Sequence, residues 1–240
     1  MNRDVRPNRL GFRSTIALLV MATVAVVAVR EGVFESLARA GARHQGRPGI
    51  QAGAEPTQRG LLADLERKPG VAEAEAKAMR RFASLGLPIF CGGGTKPFVA
   101  LTFDDGPGPY TQRTINMLTA AGDQATFFLV GRNLEYWPEL PARERALGAV
   151  GDHTWTHVGM AGAPWSTLDQ EIRRTRDALA SAVGGPVGLF RPPLGSRDAA
   201  LGSYLRSQGL VQVLWSVDSR DSDGASPQEV LANTVAGLRP

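Results

Sequence analysis

From Pro97 onward the chain alternates short apolar runs with longer amphipathic ones. FVALTF, ATFFLVG, LGAVGDH, PVGLFR and VQVLWSV have the length of strands. TQRTINMLTAAG, PELPARERALG, STLDQEIRRTRDALASAVG and SRDAALGSYLRSQG separate them and have amphipathic, helix-like patterns. Strands and helices in strict alternation predict a parallel α/β sheet. Thr167 to Val183 is the clearest helix, with Ser166 as its N-cap, Asp169 as a capping-box partner and Gly184-Gly185 as its stop. Leu168, Ile172, Thr175, Leu179 and Val183 form one stripe, which predicts that this helix covers the sheet.

The N-terminal part follows other rules. Arg3, Arg6, Arg9 and Arg13 precede an uncharged stretch from Ser14 to Val29, whose core is TIALLVMATVAVVAV. A basic flank before an apolar run at the extreme N-terminus predicts export, with residues 1–30 as a cleaved signal or, slightly favoured, an uncleaved apolar anchor helix. The arginines place the N-terminus in the cytoplasm and the rest of the chain outside it, tethered to the membrane or secreted. Residues 31–95 are rich in Ala, Arg, Gly and Gln and read as a partly helical linker; GVFESLARAGAR and VAEAEAKAMRRFASLG have helical spacing without a wide apolar face. His44, between Arg43 and Gln45, reads as a solvated side chain.

Composition narrows the class further. A 240-residue chain with 43% hydrophobic and 21% charged residues suits one globular domain with appendages. The single Cys91, in a CGGG turn, excludes an intrachain disulfide and any Cys-x-x-Cys site. The net charge of +4 owes much to arginines before residue 50, which do not interleave with aromatics, so nucleic-acid binding is not indicated.

The chemistry lies where the apolar runs end. Asp104-Asp105, His153 and His157, Arg191, and Asp218 to Asp221 each follow a strand-like run, the end of α/β strands at which sites form. DDGP alone is equally a turn, because Asp, Gly and Pro are turn formers. His153 and His157 are two of only three histidines, and their i,i+4 spacing puts both rings on one side of a helical turn. With one carboxylate they supply the three protein ligands of a hydrolytic metal site, and a second carboxylate remains beside it. Alternation along a strand points Asp104 and Asp105 in different directions, one to the metal and one to the substrate.

TFDDGP, HTWTH, RPPLG and WSVDSRD, in this order, resemble the successive motifs of NodB-like polysaccharide deacetylases, carbohydrate esterase family four. The resemblance implies a distorted (β/α) barrel over residues 96–240 and metal-dependent removal of N-acetyl, sometimes O-acetyl, groups from acetylated polysaccharides such as peptidoglycan or chitin-like glycans. By motif position it implies Asp104 as catalytic base and Asp105, His153 and His157 as ligands of a divalent metal, usually Zn with Co as the alternative. It implies Arg191 as the holder of Asp104, and the Pro193-Leu194 turn on the substrate side, with the Leu194 backbone N–H as oxyanion donor.

The chain departs from the family pattern in three places. Leu194 stands where a Tyr is usual, which keeps the N–H but changes a groove wall, and Ser222 stands where a Trp usually follows Asp221. Trp155 and Trp165 are candidate replacements for that aromatic surface. The family also has a Leu-x-His motif on a further strand, whose histidine protonates the leaving amine and is tuned by the residue matching Asp221. No histidine follows His157 here. The expectation is a domain lacking its last strand or strands through truncation, and the competing reading is a glycan-binding protein that kept the metal site without the acid.

Overall fold

The structure is a computed structural model that describes residues 24–25, 69–91 and 99–238. His44 and most of the N-terminal apolar run and linker lie outside the described residues. Within that run only Val24–Ala25 (β1) is described; these two residues are extended and pair antiparallel with Phe103 and Thr102, where the sequence suggested helix. Among the described residues no helix is long and apolar enough to cross a membrane.

The remaining strands are Leu101–Gly106 (β2), Ala125–Leu129 (β3), Gly148–Asp152 (β4), Leu189–Phe190 (β5) and Val211–Gln212 (β6). They lie in sequence order and pair in parallel from β2 to β6. Each falls within or next to an apolar run picked out above. Beyond β6, Ile89 forms a parallel bridge with Val213. The helices are Pro69–Leu85 (α1), Thr111–Ala121 (α2), Leu140–Leu147 (α3), Ala199–Ser207 (α5) and Pro227–Gly237 (α6). Between α3 and α5 a helix runs in three sections, Trp165–Leu168, a π-turn Asp169–Arg173 and Arg174–Val183, together α4.

The α4 stripe packs as expected, with Leu168, Ile172, Thr175 and Leu179 fully buried. Its cap does not. The helix begins two residues early, at Trp165 behind Pro164, so Ser166 lies inside it, and Asp169 instead takes two hydrogen bonds from Arg173, at 2.8 and 2.7 Å. The capping box occurs on α6, where Ser226 and Glu229 bond reciprocally.

Ile115, Leu118, Phe127, Leu129, Leu140 and Leu179 form one core between sheet and helices, and Ile172, Phe190, Leu201 and Leu205 belong to a second. Glycine is required at position 148, where a Cβ would run into the Ala125 carbonyl of the neighbouring strand. The sheet is curved. Three strand spacings of ~4.8 Å separate β2 from β5, too far for a side chain to span a flat sheet. Yet Arg191, directly after β5, reaches Thr102 and Asp104 of β2. The result is a partial α/β barrel whose strand exits converge.

Candidate metal centre and catalytic site

β2 delivers both carboxylates to one side. Asp105 has a left-handed backbone (φ 66°), and the pairing register shifts between Phe103 and Gly106. These two features undo the strict alternation expected of Asp104 and Asp105. His153 Nε2 therefore lies 4.0 Å from Asp104 Oδ2 and 3.4 Å from Asp105 Oδ1. The peptide that achieves this is held by Asn133 Nδ2, which donates to the Asp105 carbonyl at 2.9 Å.

His153 and His157 leave β4 through an irregular bend instead of the helical turn that their spacing suggested. Thr154 (φ 67°) and His157 (φ 61°) both adopt the left-handed region, which is costly for a β-branched residue such as Thr154. Surrounding bonds impose the bend: Asp152 Oδ1 accepts from Thr154 N at 2.8 Å, and Glu171 accepts from Thr156 N and Oγ1 at 2.8 and 2.9 Å. Neither carboxylate was singled out from sequence. Glu171 is brought in from α4, and nothing local in the sequence announces it.

The donor set fits a divalent ion. His153 Nδ1 lies 2.7 Å from the Arg191 carbonyl, which only accepts, so Nδ1 carries the proton and the Nε2 lone pair faces Asp105. His157 Nε2 is 3.0 Å from the same Asp105 Oδ1. Ligands ~2.0–2.1 Å from a tetrahedral zinc lie about 3.3 Å apart, close to these separations. The three ligand atoms lie within 4.8 Å of one another, and Asp105 Oδ1 is buried with no donor beyond the two imidazoles. Acceptors aimed at one point need a cation or a proton between them. Burial raises the Asp105 pKa, but hydrogen bonding and charge from His153 and His157 outweigh it and hold the carboxyl well below the usual range. The hydrogen bond with Asp105 pushes His157 up.

Asp104 is separately buried and tied to Arg191. The Arg191 Nη1 donates to Asp104 Oδ1 at 2.7 Å and to Thr102 Oγ1 at 2.8 Å, while Nη2 donates to the Leu214 carbonyl at 3.0 Å. Thr102 is two residues before Asp104 on the same strand face, a signal that the sequence contained and that went unused. Burial raises the Asp104 pKa more than His153 and Arg191 lower it, so the carboxylate is more basic than an ordinary one. Phe128, fully buried, stacks its ring 4.1 Å from the guanidinium.

The other expected residues make none of these contacts. Leu194 sits in the turn Pro193–Gly195 with a left-handed backbone (φ 59°) and an exposed side chain. Pro192 and Pro193 have no N–H, and the N–H groups of Gly195 and Ser196 bond within the turn to the Pro192 and Pro193 carbonyls. Asp221 starts a short 3₁₀ turn and accepts from Ser219 Oγ at 2.6 Å. Trp155 packs under Arg174, 3.6 Å from the ring centroid, whereas Trp165 is exposed and meets Tyr204 edge-on.

Fold and donor set together define the class: a curved parallel α/β sheet with a candidate Asp-His-His metal centre and a buried Asp-Arg pair at its strand exits. Within that class the chain belongs to the polysaccharide deacetylase family, whose model matches residues 92–213. It is 32% identical over 153 residues to a peptidoglycan-N-acetylglucosamine deacetylase of Bacillus cereus, a match covering 63% of this chain and 56% of that protein. The chain thus spans little more than half the length of that curated relative. Among solved structures, a family 4 carbohydrate esterase from Streptomyces lividans in complex with acetate is 39% identical, with a TM-score of 0.54 over 57% of this chain and 72% of that one. A mutant of a Bacillus anthracis family 4 pseudoenzyme with restored enzymatic activity is 26% identical, with a TM-score of 0.59 over 65% of this chain and 58% of that one.

Proposed function

We propose that the chain is a metal-dependent hydrolase that removes acetyl groups from an acetylated polysaccharide of the peptidoglycan or chitin-like type, chiefly from N-acetyl groups. The observation that carries this is the Asp104–Arg191 pair, 2.7 Å long, beside the converging Asp105, His153 and His157. Asp105, His153 and His157 would hold the divalent ion, zinc or cobalt. Such an ion supplies a Lewis acid and an acidified water at neutral pH.

Asp104 takes the proton of the attacking water, and its raised pKa suits that role. Arg191 fixes the carboxylate orientation. The Leu194 N–H, on a turn whose later donors are already used, is assigned to the developing oxyanion, with Pro193 shaping the substrate side. Asp221 is assigned by motif position to tuning the histidine that protonates the leaving amine in the family, a residue that the 240 residues do not include. Residues 96–240 form the catalytic unit, residues 31–95 a partly helical linker whose Ile89 joins the sheet beside Val213, and the basic-apolar segment at residues 1–30 supports export and attachment to the membrane.

The test is acetate release from N-acetylglucosamine oligomers and peptidoglycan by the full chain with Zn²⁺ or Co²⁺. Metal-dependent release supports the assignment. Tight ion binding with glycan binding but no release across these substrates would favour the non-catalytic glycan-binding reading.

A further inference from the structure

Glu144 is almost fully buried on α3, a helix whose other buried residues are Leu140, Pro141 and Leu147. An acid at an apolar helix position requires an explanation. Its Oε2 is buried without a hydrogen-bond partner. Burial pushes its pKa up to about 8. No charged side chain from α2, β3, β4 or α4 acts on it among the described residues.

The carboxyl does not sit deep in the core. Its Oε1 is 3.2 Å from the point where a side chain at position 106 would begin, beside Leu129 Cδ2 at 3.0 Å and Thr111 Oγ1 at 3.7 Å. Gly106 ends β2 and directly follows Asp105. Glu144 and Asp104 line one cleft with Phe103, Gly108, Thr111 and Thr114, and Asp104 is its other titratable wall besides Tyr110. The turn above is pinned from elsewhere by Val130 N, which donates to the Gly106 carbonyl at 2.8 Å, and by Gly108 N, which donates to Thr111 Oγ1 at 2.9 Å. Glu144 therefore supports, from beneath, the backbone that aims both carboxylates.

We propose that Glu144 is a positioning residue for the turn between β2 and α2. Uncharged, its carboxyl fills the space under Gly106 and lets the turn seat; ionised, it draws water into the cleft and unseats the turn, misdirecting Asp104 and Asp105. The physical reason is the cost of an unpaired buried charge, which a structure relieves along its least packed side. Here Phe127 and Leu129 wall the cleft on the sheet side, so the turn is the part that yields. The consequence for catalysis rests on Asp104 and Asp105 acting as proposed above, whereas the seating does not.

The test is hydrogen exchange of the backbone over residues 101–111 in the wild-type chain and in Glu144→Gln, at about pH 6.5 and about pH 9, corrected for intrinsic rates. The two proteins should match at the lower pH. At the higher pH the wild-type turn should exchange at least about fivefold faster than that of Glu144→Gln. Acetate release measured alongside should show the alkaline limb of the variant moved up by about one pH unit or more. Equal exchange of the two proteins at the higher pH overturns the inference whether or not either is active. An exchange difference without acetate release upholds it and sinks the deacetylase reading instead. Should the variant not fold, the wild-type chain decides alone: corrected exchange over residues 101–111 must rise with pH more than that over residues 125–129, and an equal rise overturns it.

Discussion

The Arg191 guanidinium donates to Asp104 Oδ1 at 2.7 Å from a fully buried position, tying the exit of β5 to the exit of β2. The same group reaches Thr102 and the Leu214 carbonyl, so its planar fork spends several donors in fixed directions. A lysine has one nitrogen and cannot reproduce them. Arg191→Lys should lower acetate release ~10²-fold or more by loosening Asp104. Arg191→Ala, which leaves the Asp104 charge buried and unpaired, should cost about 3–5 kcal/mol in urea unfolding.

Asp105→Ala or His157→Ala should abolish specific zinc binding in calorimetry, because each removes one of three convergent ligand atoms. Glu171→Gln tests the bend between the histidines. It weakens the bonds to Thr156 N and Oγ1 and should lower zinc affinity about tenfold with little loss of stability, as for other groups that orient ligands.

The candidate ligands and the candidate base stood out in sequence because each sits at a strand exit, where a switch from apolar to charged residues is visible along the chain. The conformation that joins them was not. Nothing in the letters of TFDDGP shows that Asp105 turns left-handed, or that Thr154 and His157 do so in a bend that spacing alone would make helical. These backbones are imposed from outside by Asn133, Asp152 and Glu171, through contacts distant in sequence or lost among ordinary turn chemistry. Ser166 and Asp169 had the letters of a capping box, but Pro164 started the helix first and Arg173 claimed the carboxylate. Nothing in PELPARERALG sets Glu144 apart from an ordinary surface charge, because a helix pattern does not show which neighbour closes over it.

Stability should depend on pH through Glu144. Its folded pKa of about 8 lies above the ordinary 4.5, so the folded state holds a proton that the unfolded state gives up between those values. The contribution is fully present below about pH 4.5 and is lost as the pH rises through about 8, with a slope of up to ~1.4 kcal/mol per pH unit. Buried Asp152, whose pKa is also raised by burial, adds a trend of the same sign. Unfolding midpoints of wild type and Glu144→Gln should therefore diverge with rising pH, with the variant the more stable at the alkaline end.

The most direct test is Asp104→Asn, assayed for zinc binding and for acetate release from N-acetylglucosamine oligomers and peptidoglycan beside the wild-type chain. The substitution keeps the shape of the side chain, leaves the Asp105, His153 and His157 atoms in place, and removes the base. Zinc affinity should stay close to that of the wild type while acetate release falls ~10²–10⁴-fold. Release by Asp104→Asn at the wild-type rate would contradict the assignment of Asp104 as the base and, with it, the reading of this site.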